Sequence, residues 1–284
     1  MSPPVADSLS LREVADRLGV HYMTAYRYVR NGRLPAHKVG DEWRVDPGDL
    51  AALRPGTRRN PARRGAPDRD ESRRRLESRL LAGDEAGAWG VVETATAAGA
   101  DPAEVLTSLV APALERIGAQ WAAGELSVAD EHRATAVAHR LVARLGPSFV
   151  RPGRRRGTVV LGSVAGDRHA LPTAMLGDLL RGERFEVVDL GPDTPAESFV
   201  ATAVAVDRLQ AVGICVSDSG LLGTVPDFVQ TVRAGLDDPA VPVHVGGSAI
   251  TDVRLAQQVG SDGFASDPSE VVALFASPRV SVLD

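Results

Sequence analysis

Two residues in this chain have the types and spacing for joint chemistry: Asp167 and His169, in the run Gly166-Asp167-Arg168-His169-Ala170-Leu171-Pro172. An imidazole binds a metal or moves a proton. A carboxylate two residues upstream can hold the ring in one tautomer, as carboxylates do for metal-bound histidines. The run follows the apolar stretch Thr158-Val159-Val160-Leu161-Gly162-Ser163-Val164 and precedes a helical pattern. The order predicts an imidazole at the carboxyl edge of a sheet, where open α/β sheets bind ligands. A second group is Trp121, Glu131 and His132. Trp121 lies near the end of one helix and Glu131-His132 open the next, so an indole and two polar groups converge on one end of a bundle. Taken alone, these residues read more readily as a core Trp and an ordinary helix start. Two strand ends carry small residues, Cys215-Val216-Ser217 and Gly246-Gly247-Ser248. Paired glycines let backbone approach a ligand closely, although a plain βα turn also uses them. Cys215 has no activating base nearby in sequence and is not expected to be a nucleophile. A third group is basic: Thr24, Arg27 and Arg30 on a short helix, with Lys38 and Arg44 downstream.

These residues need elements to position them. Ser10 with Glu13 three residues later predicts a capping box for a helix over Leu11–Leu18. Gly19-Val20 reads as a tight turn, and a second helix follows from about His21 to Arg30. Asn31-Gly32 is suited to ending it. Leu34–Val39 and Trp43–Val45, joined by Gly40-Asp41-Glu42, predict a β-hairpin. Asp46-Pro47-Gly48-Asp49-Leu50 starts a further short helix. Residues 54–75 are rich in Arg, Pro, Gly and Asp and read as a linker. Helical patterns over Leu76–Leu81, Glu85–Gly99, Pro102–Glu125 and Val128–Leu145 predict a four-helix bundle. After a second basic linker, strands are expected at Thr158–Val164, Phe185–Leu190, Ala211–Ser217, Val241–Gly246 and Gly263–Ala265, with helices between them. That alternation predicts a parallel, doubly wound, flavodoxin-like (Rossmann-type) α/β sheet. The expected architecture is therefore multidomain: residues 1–53, a linker at 54–75, a bundle at 76–149 and a sheet domain at 157–284.

Composition narrows the function. The single cysteine excludes an intramolecular disulfide and a thiolate cluster. The amino terminus lacks the charged start and apolar core of a signal peptide, and no apolar run approaches a membrane span. A cytoplasmic protein without membrane contact is expected. The net charge of -5 hides an asymmetry, since residues 1–80 carry 17 Lys/Arg against 11 Asp/Glu. A basic front on an acidic body implies an anionic partner at the front.

Residues Leu11–Val20, Thr24–Ala36, Val39-Gly40 and Trp43-Arg44-Val45 together resemble the excisionase-like and MerR-like winged helix-turn-helix family over most of residues 8–53. The resemblance implies double-stranded DNA as partner. Thr24, Arg27 and Arg30 would enter the major groove, and Lys38 and Arg44 on the wing would meet phosphates. A unit this small needs a homo-oligomer for useful affinity. A solvated basic face on a structural domain is the alternative.

Residues 80–275 resemble the cobalamin-binding module of methionine synthase and of light-responsive regulators of the CarH/LitR family. The resemblance rests on Trp121, Glu131-His132, Asp167-Arg168-His169 and Gly246-Gly247, with a partial match at Cys215-Val216-Ser217. It implies a corrin ring between the bundle and the sheet, with cobalt ligated from below by His169. Asp167 would orient that imidazole, and the dimethylbenzimidazole tail would be displaced into a groove at Cys215, Ser217, Gly246 and Gly247. Trp121, Glu131 and His132 would line the upper face near an adenosyl group.

This chain departs from the family twice. Pro172 replaces a Gly in the Asp-x-His motif; a helix start tolerates Pro, so the loop is expected to survive, with its path left open. Ala122 replaces the His that follows the cap Trp in some light-sensing relatives. Either His132 or His139 substitutes, the product state differs, or the upper space houses a second, bilin-type chromophore. The expected function is a non-enzymatic transcriptional regulator using adenosylcobalamin as a light sensor. The alternatives are a cobalamin-level sensor without photochemistry, a corrinoid carrier for a methyltransferase, and a DNA-binding protein whose back half has lost its cofactor.

Overall fold

The computed structural model describes residues 8–18, 22–30, 34–40, 42–51 and 68–276. The turn at Gly19-Val20, the helix end at Asn31-Gly32 and most of the 54–75 linker lie outside the described residues. The chain divides into two units, the first built on residues up to Asp68 and the second on Arg69–Thr96 and from Ala100 onward.

In the front unit β1 (Leu9–Ser10) leads into α1 (Leu11–Leu18), followed by α2 (Tyr22–Arg30), β2 (His37–Val39), β3 (Glu42–Val45) and α3 (Pro47–Ala51). The capping box forms: Ser10 Oγ accepts the Glu13 N–H at 3.3 Å, and Glu13 Oε2 accepts the Ser10 N–H at 2.8 Å. These bonds satisfy donors that a helix start leaves open. Leu11, Val14 and Ala15 recur on one face of α1 and bury against Ala25, Val29, Leu34 and Val45. The hairpin β2–β3 pairs antiparallel, with His37 opposite Arg44. It gains a strand that the sequence did not suggest, because β1 pairs with β3 through Leu9 and Val45.

The back unit starts with α4 (Arg69–Leu81), α5 (Glu85–Ala97), α6 (Pro102–Val105), a π-helical turn (Leu106–Val110), α7 (Ala111–Ala122) and α8 (Val128–Leu145). Helix α4 begins at Arg69, seven residues before the expected Leu76. The extra turns are polar and invisible to hydrophobic periodicity. Arg73 pairs with Asp70 and Arg74 with Glu71 at helical spacing, and both acids sit at the positive end of the helix. The long helix expected over Pro102–Glu125 is interrupted before Pro112. Proline has no N–H to donate to the preceding turn, and a π turn accommodates that loss. Leu76, Leu80, Val92, Leu106, Ile117 and Leu141 meet in one buried core.

The sheet contains β4 (Thr158–Ser163), β5 (Glu186–Asp189), β6 (Leu209–Cys215) and β7 (Val243–Gly246), in the order β5-β4-β6-β7 and all parallel. Helices α9 (Leu171–Gly182), α10 (Ala196–Ala205), α11 (Val225–Ala234), α12 (Val253–Gln258) and α13 (Pro268–Ala276) fill the sequence between and after the strands. Strand β4 is buried along its whole length, as expected for a strand covered on both faces. Its residues alternate between two cores, with Val160 on the side of Phe199 and Val159 and Leu161 on the side of Phe185 and Phe275. The fifth strand expected at Gly263–Ala265 does not form. Side chains take its place on the edge of β7: Asp262 Oδ2 accepts the Val243 N–H at 2.7 Å and Ser261 Oγ accepts the Val245 N–H at 2.8 Å. With those donors satisfied, a further ladder has little to pair with.

Helix α9 joins the two layers. Leu171 at its start is part of the bundle core, and Ala174, Met175 and Leu179 pack against that core. Among the described residues no helix is long and apolar enough to cross a membrane.

Phe199 is fully buried, meets Phe228 edge-on at 5.5 Å, and fills space left by Gly162. Phe199→Ala should therefore cost the back unit about 3–5 kcal/mol, read by circular dichroism in urea denaturation.

Candidate cofactor site

In the chain's order of strands, the sheet reads second, first, third, fourth. The strand order reverses between β4 and β6, and crevices at such switch points take ligands in α/β sheets. Asp167 follows β4 and Ser217 follows β6. Asp167 is fully buried and its carboxylate receives four donors. Oδ1 accepts the His169 N–H at 3.0 Å and meets His169 Nδ1 at 2.6 Å. Oδ2 accepts the Ser217 N–H at 2.5 Å and the Asp218 N–H at 3.4 Å. Burial by itself raises this carboxyl, but the N–H groups of Ser217 and His169 and the His169 ring outweigh burial and hold it below the usual aspartate range. An ionised Asp167 assigns the proton to His169 Nδ1. In the neutral form of the ring that leaves the lone pair on Nε2, on a side chain that is 55% exposed.

The loop between them is fixed at other points. Ser163 Oγ donates to the His169 carbonyl at 2.9 Å. Asp193 accepts the Gly166 N–H at 2.6 Å through Oδ1, and its own N–H donates to the Asp167 carbonyl at 2.7 Å. Pro172 sits in the first turn of α9, where its missing N–H costs nothing.

Cys215, Gly246 and Gly247 line one cavity of about 130 Å³ with Pro172 and His244. Gly247 has φ +109°, and a Cβ there would collide with the Val216 carbonyl, so only glycine lets the chain turn this tightly. Burial pushes the Cys215 thiol up to about 11, which leaves it protonated and inert. Its Sγ lies 3.6 Å from Ser217 Oγ. Ser217 itself acts on the site through its backbone.

The second expected group lies at the α7–α8 junction. Gly124 adopts φ +75° and ends α7, its N–H donating to the Trp121 carbonyl at 2.9 Å. Ser127 and Asp130 cap α8 reciprocally. Trp121 is left 45% exposed, and Ala122, His132 and His139 are exposed too. Glu131 Oε1 accepts the Thr135 hydroxyl at 2.6 Å, and its Oε2 lies 3.7 Å from His132 Nε2. Among the described residues no hydrogen bond, ion pair or ring contact joins this group to the His169 loop. In the front unit, the side chains of Thr24, Arg27 and Arg30 lie outside the described residues. Lys38 Nζ sits 5.7 Å from the centre of the Trp43 ring, and Arg44 pairs with Glu42 at 2.9 Å.

Sequence reasoning missed Ser163, Asp193 and His244. The first two reach the loop through tertiary contacts that local spacing does not encode. His244 carried one signal, an ionisable residue in the middle of the apolar strand Val243-His244-Val245.

The sequence matches a B12 binding domain over residues 72–145, a second B12 binding domain over residues 157–273, and a helix-turn-helix domain over residues 8–54. Trimethylamine corrinoid protein 1 of Methanosarcina acetivorans is 28% identical over 193 residues, 67% of this chain and 88% of that protein. A corrinoid protein of Desulfitobacterium hafniense is 27% identical over 208 residues, 70% of this chain and 93% of that protein. The structure of the monomethylamine corrinoid protein of Methanosarcina barkeri superposes with a TM-score of 0.61 at 19% identity, covering 73% of this chain and 98% of that one. It shares the fold. Cobalamin is the cofactor of this chain. The residues fit it: one imidazole offers a free nitrogen to a metal whose macrocycle brings its own donors, and an apolar slot opens beside that imidazole's helix.

Asp167→Asn leaves the N–H donors facing an amide that accepts through one atom only. We expect a loss of about 1–3 kcal/mol at neutral pH and a 10–100-fold weaker hold on cobalamin. Because the folded-state carboxyl is depressed, its stabilisation is full above the ordinary aspartate value of about 3.9 and disappears as pH falls through the lower folded value. The stability gap between wild type and Asp167→Asn should close in that acid window, measured by urea denaturation at stepped pH.

Proposed function

We propose that this chain is a transcriptional regulator that binds DNA through its front unit and is switched by cobalamin in its back unit, with light acting on the adenosyl form. The observation that carries the reading is the joining, in one chain, of a helix-turn-helix match to a loop that presents a polarised imidazole at a sheet switch point. The working division is a winged helix-turn-helix at 1–53, a helical cap over 76–149 extended by the start of α4, and a sheet domain at 157–284.

In this reading His169 Nε2 would ligate the cobalt, and Asp167 would hold the ring in one tautomer, oriented and electron-rich. Cys215, Ser217, Gly246 and Gly247 wall the groove for the nucleotide tail. Trp121, Glu131 and His132 cover the upper face, where the exposed indole has apolar area to lose. When bound, adenosylcobalamin supplies a cobalt–carbon bond that visible light breaks. The protein's part is readout. Leu171, two residues after His169, belongs to the bundle core, so a shift of the loop is felt by the bundle. A changed bundle surface alters assembly, and DNA affinity follows the number of front units acting together. On α2, Thr24, Arg27 and Arg30 fall at three-residue spacing and form one stripe of the helix. Lys38 and Arg44 meet phosphates, Arg44 by leaving Glu42.

A second reading, a corrinoid carrier in methyl transfer, is favoured by the names of the relatives. It predicts no DNA affinity and a preference for methylcobalamin.

Protein reconstituted with adenosylcobalamin in the dark should show a cobalamin spectrum that changes under green light, together with a change in assembly size by gel filtration. An unchanged spectrum and size would leave ligand level, not light, as the signal. His169→Ala should lose the His-ligated spectrum, and a variant that keeps it removes His169 as ligand. Lys38→Ala should weaken DNA binding at all sequences and lower the salt slope by about one. No measurable DNA binding in any cofactor state would move the chain to the carrier reading.

A further inference from the structure

Among the described residues, a polar side chain beside this cavity makes no hydrogen bond to the protein. His244 lies in the middle of β7, 8% exposed, and neither Nδ1 nor Nε2 makes a hydrogen bond. Its ring stands edge-on to Phe275 at 4.9 Å and packs beside Gly263. It lines the same cavity as Cys215, Gly246, Gly247 and Pro172, and Pro172 is three residues beyond His169. Burial pushes the ring below the usual histidine range; nearby Asp262 only partly offsets this, and Arg233 adds to it. Asp262 is itself tied to Arg233 at 2.7 Å. The ring is therefore neutral, with one N–H to give and one lone pair. Buried polar groups are nearly always paired in native proteins, and an orphan calls for an explanation.

We propose that His244 reads the lower base of the cofactor by donating its ring N–H to the base nitrogen that cobalt gives up. The inference rests on the reading in which His169 takes the lower axial place. Once an imidazole of the protein holds the metal, the ring nitrogen of the displaced base has lost its partner. It is then an acceptor carried on a flat aromatic ring. The cavity at the strand ends offers such a ring apolar walls, the edge of Phe275 and one N–H. The chemical class that this selects is a cobamide with a nitrogen heterocycle as lower base, over one with a phenolic base.

The test uses the full chain in the dark with three adenosylated probes: cobalamin, a phenolyl cobamide and cobinamide, which has no base. Affinities come from absorbance titration of wild type, His244→Leu and His244→Gln. His244→Leu should weaken cobalamin about tenfold, one buried hydrogen bond's worth, while leaving the phenolyl cobamide and cobinamide unchanged. His244→Gln, which keeps a donor, should recover part of that loss. In wild type labelled with 15N-histidine, one side-chain resonance should move with cobalamin and stay in place with cobinamide. Equal weakening of all three probes means His244 only packs the core, and that result overturns the proposal. So does a cobalamin affinity that His244→Leu does not change, or a labelled resonance that fails to distinguish cobalamin from cobinamide. A wild-type spectrum with the base still on cobalt overturns the His169 reading and this inference together. A base-off wild type with an indifferent His244→Leu overturns this inference alone.

Discussion

A carboxylate out of contact with water is tolerated only when donors replace its hydration, and the back unit is organised around one such group. Asp167 is held by four N–H donors that come from both sides of the switch point. Two belong to His169 and two to the turn after β6. The same carboxylate thus closes the gap between neighbouring strand ends, fixes the loop after β4 and sets the tautomer of the imidazole. The charge is affordable here because the donors are mostly backbone groups that folding has already placed. Little additional entropy is lost in bringing them together.

From that point outward the constraints are mechanical. The His169 carbonyl is held by Ser163 and the Asp167 carbonyl by Asp193, so the loop has few ways to move alone. Leu171 enters the bundle core two residues later. Packed interiors change by discrete repacking and not by small continuous deformation. A pull on the imidazole is therefore passed to the helical layer through a short, stiff segment, and no long-range pathway is needed.

How much of this was legible in the sequence depended on the range of the interaction. The capping box at Ser10 and Glu13, the apolar strands β4 to β7 and the Asp-x-His turn are local patterns, and each was readable. The polar start of α4 was not, since its support comes from ion pairs and helix charge and not from a buried stripe. The missing fifth strand turned on Ser261 and Asp262 using side chains where a ladder uses carbonyls. The donors on Asp167 from Ser217 and Asp218 lie about fifty positions away in sequence, beyond any spacing rule. At the upper end, Trp121 and the Glu131-His132 pair fell on the helix ends expected of them, but their exposure was not predictable from type, because an indole in a bundle is more often buried.

Asp167 and His244, two ionisable residues beside this site, are treated oppositely, and the contrast bears on what the cavity is for. Asp167 receives every donor its two oxygens need and stays charged. His244, on the neighbouring side of β6, receives no hydrogen bond among the described residues and stays neutral. A chain selected only for stability would place an apolar residue at His244, since an unpaired buried imidazole lowers stability and its ring does nothing that Leu or Phe could not do against Phe275. Satisfying Asp167 internally makes the loop rigid before any cofactor arrives. Leaving His244 unsatisfied defers one hydrogen bond until a ligand supplies the acceptor. The first arrangement preorganises the site. The second makes occupancy of the cavity conditional on the chemistry of what enters it, because only a base with a free ring nitrogen relieves the orphaned N–H.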